Sequence, residues 1–530
     1  VLTRLPVPAR LALVLAGLTL PFVTKPVHID DANFLWLARG ARADLWRPHA
    51  VAVNWQGRME PAFDVLSNPP GIGWLLAAVV EAPVWVQHLS LLPWLVLAAL
   101  GAHRLGERLG GGKGPAAVLL LCGAPSAVLA AQSLTPDLPL LACVLAGLGG
   151  LASGPGAPAR TTRWPWALVA GAAVLFRYSG LAMVPLVGAW ALLEGDRRAA
   201  LRWTAAAALP AALLFAHDLH AYGAIHFVAM MDFQDVATTP RDTLRKALAA
   251  LATLGGALVL PVLCWSRWRA AAVGLGVGLA GGALAAGISA LTGLAAASTV
   301  LACGAGGAAL AGGLGLRSPR ERSLSLWLLG GFVFLLQLRF TAARYWLPFA
   351  APAVILPLRL ASPRLVAGAV GATTLLSLGL SVADLRFARA QESLAARVVA
   401  LVPDGPRRVA GHWGFQHHLE RAGWIALEED APVQPGTVIA RSAAAWPQEP
   451  APICTTERGR FTLSPGRPTL RVHTTAGRAN LHAYLISADP PLETYAPWSL
   501  GADPWDVVTV EQVVDCAGAG PPPDGSEPAL

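Results

Sequence analysis

The sequence predicts a polytopic α-helical membrane protein that ends in a small α/β or α+β domain in water. Three observations predict it. Of the 530 residues, 55% are hydrophobic and only 14% charged, whereas soluble domains carry about a quarter charged residues. Mean hydropathy is +0.52. The charge is also unevenly spread: residues 1–383 hold 28 basic and 15 acidic side chains, and residues 384–530 hold 12 and 17. The first part is expected to lie in lipid and the second to face water.

The net charge of +8 is thus the difference between a basic membrane part and an acidic tail. Basic loops account for the excess in membrane proteins, so no nucleic-acid partner is expected. Lysine occurs only at 25, 113 and 246, against 37 arginines. With abundant Ala and Gly, that usage points to a GC-rich bacterial source and hence to the bacterial inner membrane. Cys122, Cys143, Cys264 and Cys303 fall in or beside apolar stretches and are expected to pack. Cys454 and Cys516 lie in the tail, where an oxidising compartment permits pairing.

Apolar segments recur at 9–24, 84–101, 115–131, 138–152, 165–176, 178–193, 203–216, 247–263, 271–290, 292–315, 324–338, 345–358 and 365–382. They predict about thirteen spans, several shorter than the roughly 20 residues of a perpendicular helix. Residues 165–193 are read as two short helices. One long helix would put Arg177 at the bilayer centre, at a cost of at least about 2.5 kcal/mol. With the N-terminus in the cytoplasm, every inside loop carries at least two basic residues, from Arg4 and Arg10 to Arg359 and Arg364. The tail then emerges outside, and the first apolar run is retained as a span.

In the tail, Arg407–Ala410 reads as a strand followed by a turn at 411–414. A helix over Phe415–Ala422 ends at Gly423, and Val438–Ala440 and Leu470–His473 read as further strands. The Pro/Gly-rich residues 519–530 are expected to be disordered. The domains are therefore 1–383 in the membrane, 384–518 outside it, and 519–530 as a tail end. His412, His417 and His418 are expected at the surface.

Acidic residues are scarce in the membrane part, so their places matter. Asp30 and Asp31 follow the first span in His28-Ile29-Asp30-Asp31, and Asp137 follows in Thr135-Pro136-Asp137-Leu138-Pro139-Leu140. A carboxylate pair at the outer surface can act as general base or metal ligand, or simply cap a helix. Arg39, Arg42, Arg47, Arg58, Arg177, Arg339 and Arg344 remain on the outer side, where topology does not require them and anion binding is open. His217, Asp218, His220 and His226 offer His-x-x-His spacing, but no second carboxylate completes a known metal site. Gly106–Lys113 has the wrong glycine spacing for a phosphate loop, and no Ser or Thr follows Lys113.

The acidic pair and the outer Thr-x-Asp-x-Pro-Leu motif resemble those of membrane glycosyltransferases with the GT-C fold. The nearest group is the protein mannosyltransferase-like family 39 with its bacterial relatives, including lipid A aminoarabinose transferases. Asn68-Pro69-Pro70-Gly71, Arg177-Tyr178-Ser179-Gly180 and Arg344-Tyr345-Trp346-Leu347-Pro348 resemble further motifs of that group, in order, across residues 9–360. Ser67 and Asn68 stand where the aminoarabinose transferases have Glu-Lys, so no metal ligand or phosphate contact is carried over there.

The resemblance implies a GT-C-like domain that moves a sugar from a polyprenyl phosphate donor to an envelope acceptor on the outer face, usually with inversion. Asp30 would act on the acceptor, with Asp31 and Asp137 completing the acidic set. Arg344 and Arg177, with Tyr345 and Tyr178 beside them, would hold the carrier phosphate. The cofactor it leaves open is a divalent metal ion at Asp137; the other partner is membrane lipid. A transporter or flippase of a lipid-linked or anionic substrate, or a non-catalytic envelope scaffold, are the alternatives; loss of activity on replacing Asp30 separates a transferase from a scaffold.

Overall fold

Apolar composition over the first 380 residues is expressed as a bundle of helices, and every one of the thirteen apolar segments carries a helix. The computed structural model describes residues 6–55, 57–154, 159–234, 239–258, 261–338, 340–473, 479, 481–482, 484–485 and 494–515. Among them, five helices are long and apolar enough to cross a membrane: Val84–Arg108, Arg197–Tyr222, Trp265–Ile288, Gly293–Gly312 and Pro363–Leu401. A sixth span arises if Gly114–Leu121 and Pro125–Ala131, bent by 71°, count as one. Thirteen full crossings are therefore not confirmed. The physical reason is interruption: Pro125, Pro136 and the extended residue Arg177 cut the apolar sequence into shorter helices such as Asp137–Leu151 and Tyr178–Leu193.

The break at Arg177 follows the expectation from charge. Trp164–Leu175 and Tyr178–Leu193 are separate, and Arg177 between them is extended, with φ −150° and ψ 144°. Elsewhere small residues set the packing. Gly274, Gly278 and Gly282 repeat every fourth residue on Trp268–Ile288, facing Gly293–Gly312. A Cβ at Gly278 would stand 2.2 Å from the Cys303 carbonyl oxygen, and one at Gly274 2.1 Å from that of Gly307. Backbones this close require glycine, as in small-xxx-small helix pairs of membrane proteins.

The tail is built on a five-stranded mixed sheet. Its order is Ile425–Ala426, Arg407–Ala410, Val438–Ser442, Asp506–Val514, Cys454–Leu463. Arg407–Ala410 runs parallel to both neighbours, joined to Ile425–Ala426 through the helix Trp413–Arg421. Asp506–Val514 pairs antiparallel with the strands on either side of it. A separate pair joins Thr469–Arg471 to Ser499–Gly501. This matches the expected small α/β or α+β fold. Cys454 is disulfide-bonded, Cys122, Cys143, Cys264 and Cys303 are free and buried, and Cys516 and residues 519–530 lie outside the described residues.

The helix Pro363–Leu401, 39 residues long, runs through position 384 without a break. The rise in charge density there leaves the helix intact. Leu394 and Val398 near its end join Val409, Phe415, Leu419, Val508 and Val510 in the tail's core. The tail also rests on the loop after the first helix. His418 Nε2 lies 3.1 Å from the Val27 carbonyl, and Asn54 Nδ2 donates to the Leu427 carbonyl at 3.0 Å. His417 is buried, and His412 and His418 are partly so, because their helix packs on this loop. The surface placement expected for them does not hold.

Candidate active site

Four motifs far apart in sequence meet between the tail and the helical bundle. Asp30 opens the helix Asp31–Ala43 but makes no side-chain cap; instead its Oδ2 accepts a charge-assisted hydrogen bond from the Arg344 guanidinium. Asp137 occupies the first turn of Asp137–Leu151, where the helix dipole favours a carboxylate. Its Oδ1 accepts from Arg177, and its Oδ2 lies 3.6 Å from Arg344 Nε. Tyr345 lies under both cations, with its ring centroid 4.4 Å from the Arg177 guanidinium carbon and 5.5 Å from that of Arg344. Two carboxylates and two guanidiniums thus form one chain, Asp30–Arg344–Asp137–Arg177.

Burial separates the roles within this chain. The Asp137 side chain is 1% exposed and that of Asp30 19%. Asp137 is enclosed and holds both arginines, whereas Asp30 is the carboxylate that solvent, or an acceptor, can reach. Burial disfavours charge on Arg344, but Asp30, Tyr345 and Asp137 together outweigh it, so the guanidinium is held above its ordinary range. A guanidinium has five N–H donors, so Arg344 can keep its carboxylates and still face an incoming anion.

The local sequence explains why these groups stay in place. Arg344 sits on the short turn Ala343–Trp346, which follows Phe340–Thr341; that strand pairs with Tyr484–Leu485 of the tail. The Ala343 N–H donates to the Leu481 carbonyl at 3.3 Å. Trp346 Nε1 donates to the Ala250 carbonyl at 2.8 Å and Trp327 Nε1 to the Pro348 carbonyl at 2.7 Å, so two buried indoles clamp the turn. On the other side Ile29 has φ 47°, a conformation that costs a β-branched residue about 1–3 kcal/mol. Its neighbours hold it there, since His28 and Asp31 are each tied to other elements.

Asp31 points elsewhere. It is 1% exposed, and its Oδ1 accepts the Leu134 N–H at 2.8 Å, which ties the acidic pair to the segment before Asp137. Burial pushes its carboxyl up to about 7, against the pull of Lys25. Asp31→Asn keeps the Oδ1 acceptor, so near-normal turnover is expected. Asp31→Ala strands the buried Leu134 N–H and should cost about 1–3 kcal/mol. Thermal unfolding beside activity separates the two effects.

The remaining sequence-predicted residues are also placed. The Tyr178 hydroxyl lies 2.6 Å from His226 Nδ1, in a cluster with Phe227, and makes no described contact with the arginine chain. His217 Nε2 faces the Trp46 carbonyl at 2.7 Å and its Nδ1 faces Asp218 at 3.2 Å, so this histidine is engaged in the loop packing. Asn68 offers its carbonyl to His49 Nε2 at 2.9 Å.

Sequence reasoning missed a second buried group beside Asp30. Asp384 Oδ2 accepts from Lys25 Nζ at 2.8 Å, and its Oδ1 faces His28 Nε2 at 2.9 Å and His482 Nε2 at 2.7 Å. Burial pushes the His28 imidazole down to about 4, despite Asp384. No local pattern announces a set drawn from positions 25, 28, 384 and 482.

No protein-family model matches the chain, and no curated protein matches it. Among solved structures, ArnT from Cupriavidus metallidurans in the apo state is similar at 14% identity and a TM-score of 0.44, covering 82% of this chain and 92% of that one. The same protein bound to undecaprenyl phosphate gives 15% identity and a TM-score of 0.42 over the same shares. The arabinofuranosyltransferase AftD from Mycobacteria gives 14% identity and 0.39, over 96% of this chain but only 40% of that one.

Proposed function

We propose that this chain is a membrane glycosyltransferase that moves a sugar from a polyprenyl phosphate carrier to an envelope acceptor on the extracytoplasmic face. The observation that carries this reading is the chain Asp30–Arg344–Asp137–Arg177, which draws on four of the motifs named above. Its parts suit the reaction. The reachable carboxylate of Asp30 takes the proton from an acceptor hydroxyl as that oxygen attacks the anomeric carbon. The bond from that carbon to the phosphate oxygen breaks, and the phosphate leaves with its electron pair. Arg344 and Arg177 stabilise the charge that develops on it. Asp137 holds the two guanidiniums in place. A transporter is less well served, because the four charges lie at helix ends and turns and pair with one another, so they do not line a path through the bundle.

The test is chemical. Lipids extracted from a strain lacking the protein should contain an accumulated polyprenyl phosphate sugar, with one envelope glycoconjugate missing. An unchanged lipid profile counts against a transferase.

The orientation belongs to the same reading. Arg104, Arg108, Arg320 and Arg359, outnumbering Glu107 and Glu321, line one cavity of ≈ 590 Å³. Arg359 ends the helix Ala351–Leu360, while Arg344 lies before its start. A basic far end fits a cytoplasmic face and supports the reading in which the acidic–arginine chain and residues 384–518 lie outside. Alkaline phosphatase fused after the tail should be active; an inactive fusion, with a fluorescent cytoplasmic reporter at the same site, reverses the assignment.

A further inference from the structure

We infer that His28, Asp384 and His482 form a zinc-type divalent metal site that clamps the tail onto the loop bearing Asp30. Among the described residues these three side chains offer two imidazole nitrogens and one carboxylate oxygen within 4.8 Å of one another. The ring arrangement is the second observation. The His28 and His482 centroids are 5.2 Å apart, with the rings nearly perpendicular at 85°. Two imidazoles bound to one tetrahedral zinc through Zn–N bonds of about 2.0–2.1 Å put their centroids about 5 Å apart. Both Nε2 atoms point at the same oxygen, at 2.9 and 2.7 Å. Ligand atoms around such an ion stand roughly 3.3 Å apart, so an opening of about half an ångström admits it.

The surroundings support ligation. The other oxygen of Asp384 is held by Lys25 Nζ, which also donates to Ser133 Oγ at 2.8 Å. That second contact fixes the carboxylate with Oδ1 turned to the histidines, the usual support of a metal-binding carboxylate. The Asp384 and His28 side chains are 0% and 1% exposed, while that of His482 is 13% exposed and gives the ion its way in. Two nitrogens and one carboxylate oxygen, with a fourth position open to water, suit zinc better than calcium or magnesium.

The ion would join three elements on which the arginine chain depends. His28 lies two residues before Asp30, Asp384 lies on the long helix, and His482 follows Leu481, whose carbonyl receives the Ala343 N–H. The site is a positioning device and takes no part in the transfer step itself. It stands independently of the glycosyltransferase reading.

The full chain, purified in detergent, is stripped with a chelator, given zinc, desalted, and assayed for bound metal. About one zinc per chain is expected in the wild type and in His103→Ala, a histidine remote from the site, against less than about a tenth in His482→Ala and Asp384→Asn. Cobalt in place of zinc should give the visible bands of a four-coordinate site, absent from His482→Ala. Asp30→Asn should keep its metal, which separates this site from the failure of transfer. A folded wild-type chain that retains no zinc and shows no cobalt bands overturns the proposal, whether or not the variants fold. Wild-type metal content in a folded His482→Ala overturns it equally.

Discussion

Asp30→Asn should lower sugar transfer by about 10²-fold or more, the usual size of a general-base contribution. The substitution preserves shape and leaves Arg344 a neutral amide oxygen as acceptor, so the turn and its tryptophan clamps stay in place. Because Asp30 is the reachable member of the chain, its charge is expected to matter to the acceptor step and little to donor binding. The signature is a drop in kcat with the donor KM nearly unchanged. Normal turnover in a well-folded Asp30→Asn would remove this carboxylate from the mechanism. Loss in Asp31→Asn alone would move the role to its neighbour, against the placement of Asp31 on the Leu134 N–H.

Arg344→Ala should be the more damaging change, because it acts at two levels. Transfer should fall by about 10²–10³-fold, as when a donor to a developing oxyanion is removed. Donor capture should weaken as well, so that KM rises while kcat falls. Stability should also drop by up to about 3–5 kcal/mol, since Asp30 and Asp137 lose the cation between them. Arg344→Lys distinguishes the two effects. It restores one positive charge and so most of the stability, but a lysine ammonium cannot reach both carboxylates with a planar fork. Full activity in Arg344→Lys would show that charge alone suffices.

Much of this arrangement was legible in the chain. The contrast in charge density marked the membrane part, and the cost of a mid-bilayer arginine located the break at Arg177. Order of motifs brought Asp30, Asp137, Arg177, Arg344 and Tyr345 under suspicion together, and the structure joins them. The separate fates of Asp30 and Asp31 were not legible. They are adjacent in sequence, and only the position of the Leu134 N–H decides which is enclosed. Tyr178 follows Arg177 directly, yet the turn sends it to His226. Among the described residues the histidines at 217–226 do not gather into a three-residue cluster of metal-type ligands, whereas His28, Asp384 and His482, which share no local pattern, do. The continuity of Pro363–Leu401 was hidden for a related reason: charge density reports where a helix changes surroundings and is silent on where it stops.

The most direct test uses the donor that the cell itself makes. Lipid extract from the deletion strain, purified and mixed with the detergent-solubilised wild-type chain and an envelope acceptor fraction, is followed by mass spectrometry of the carrier. The account predicts that the polyprenyl phosphate sugar is consumed and free polyprenyl phosphate appears, at a rate reduced about 10²-fold in folded Asp30→Asn. Carrier consumed equally by both proteins, or left untouched by the wild type in the presence of acceptor, would contradict it.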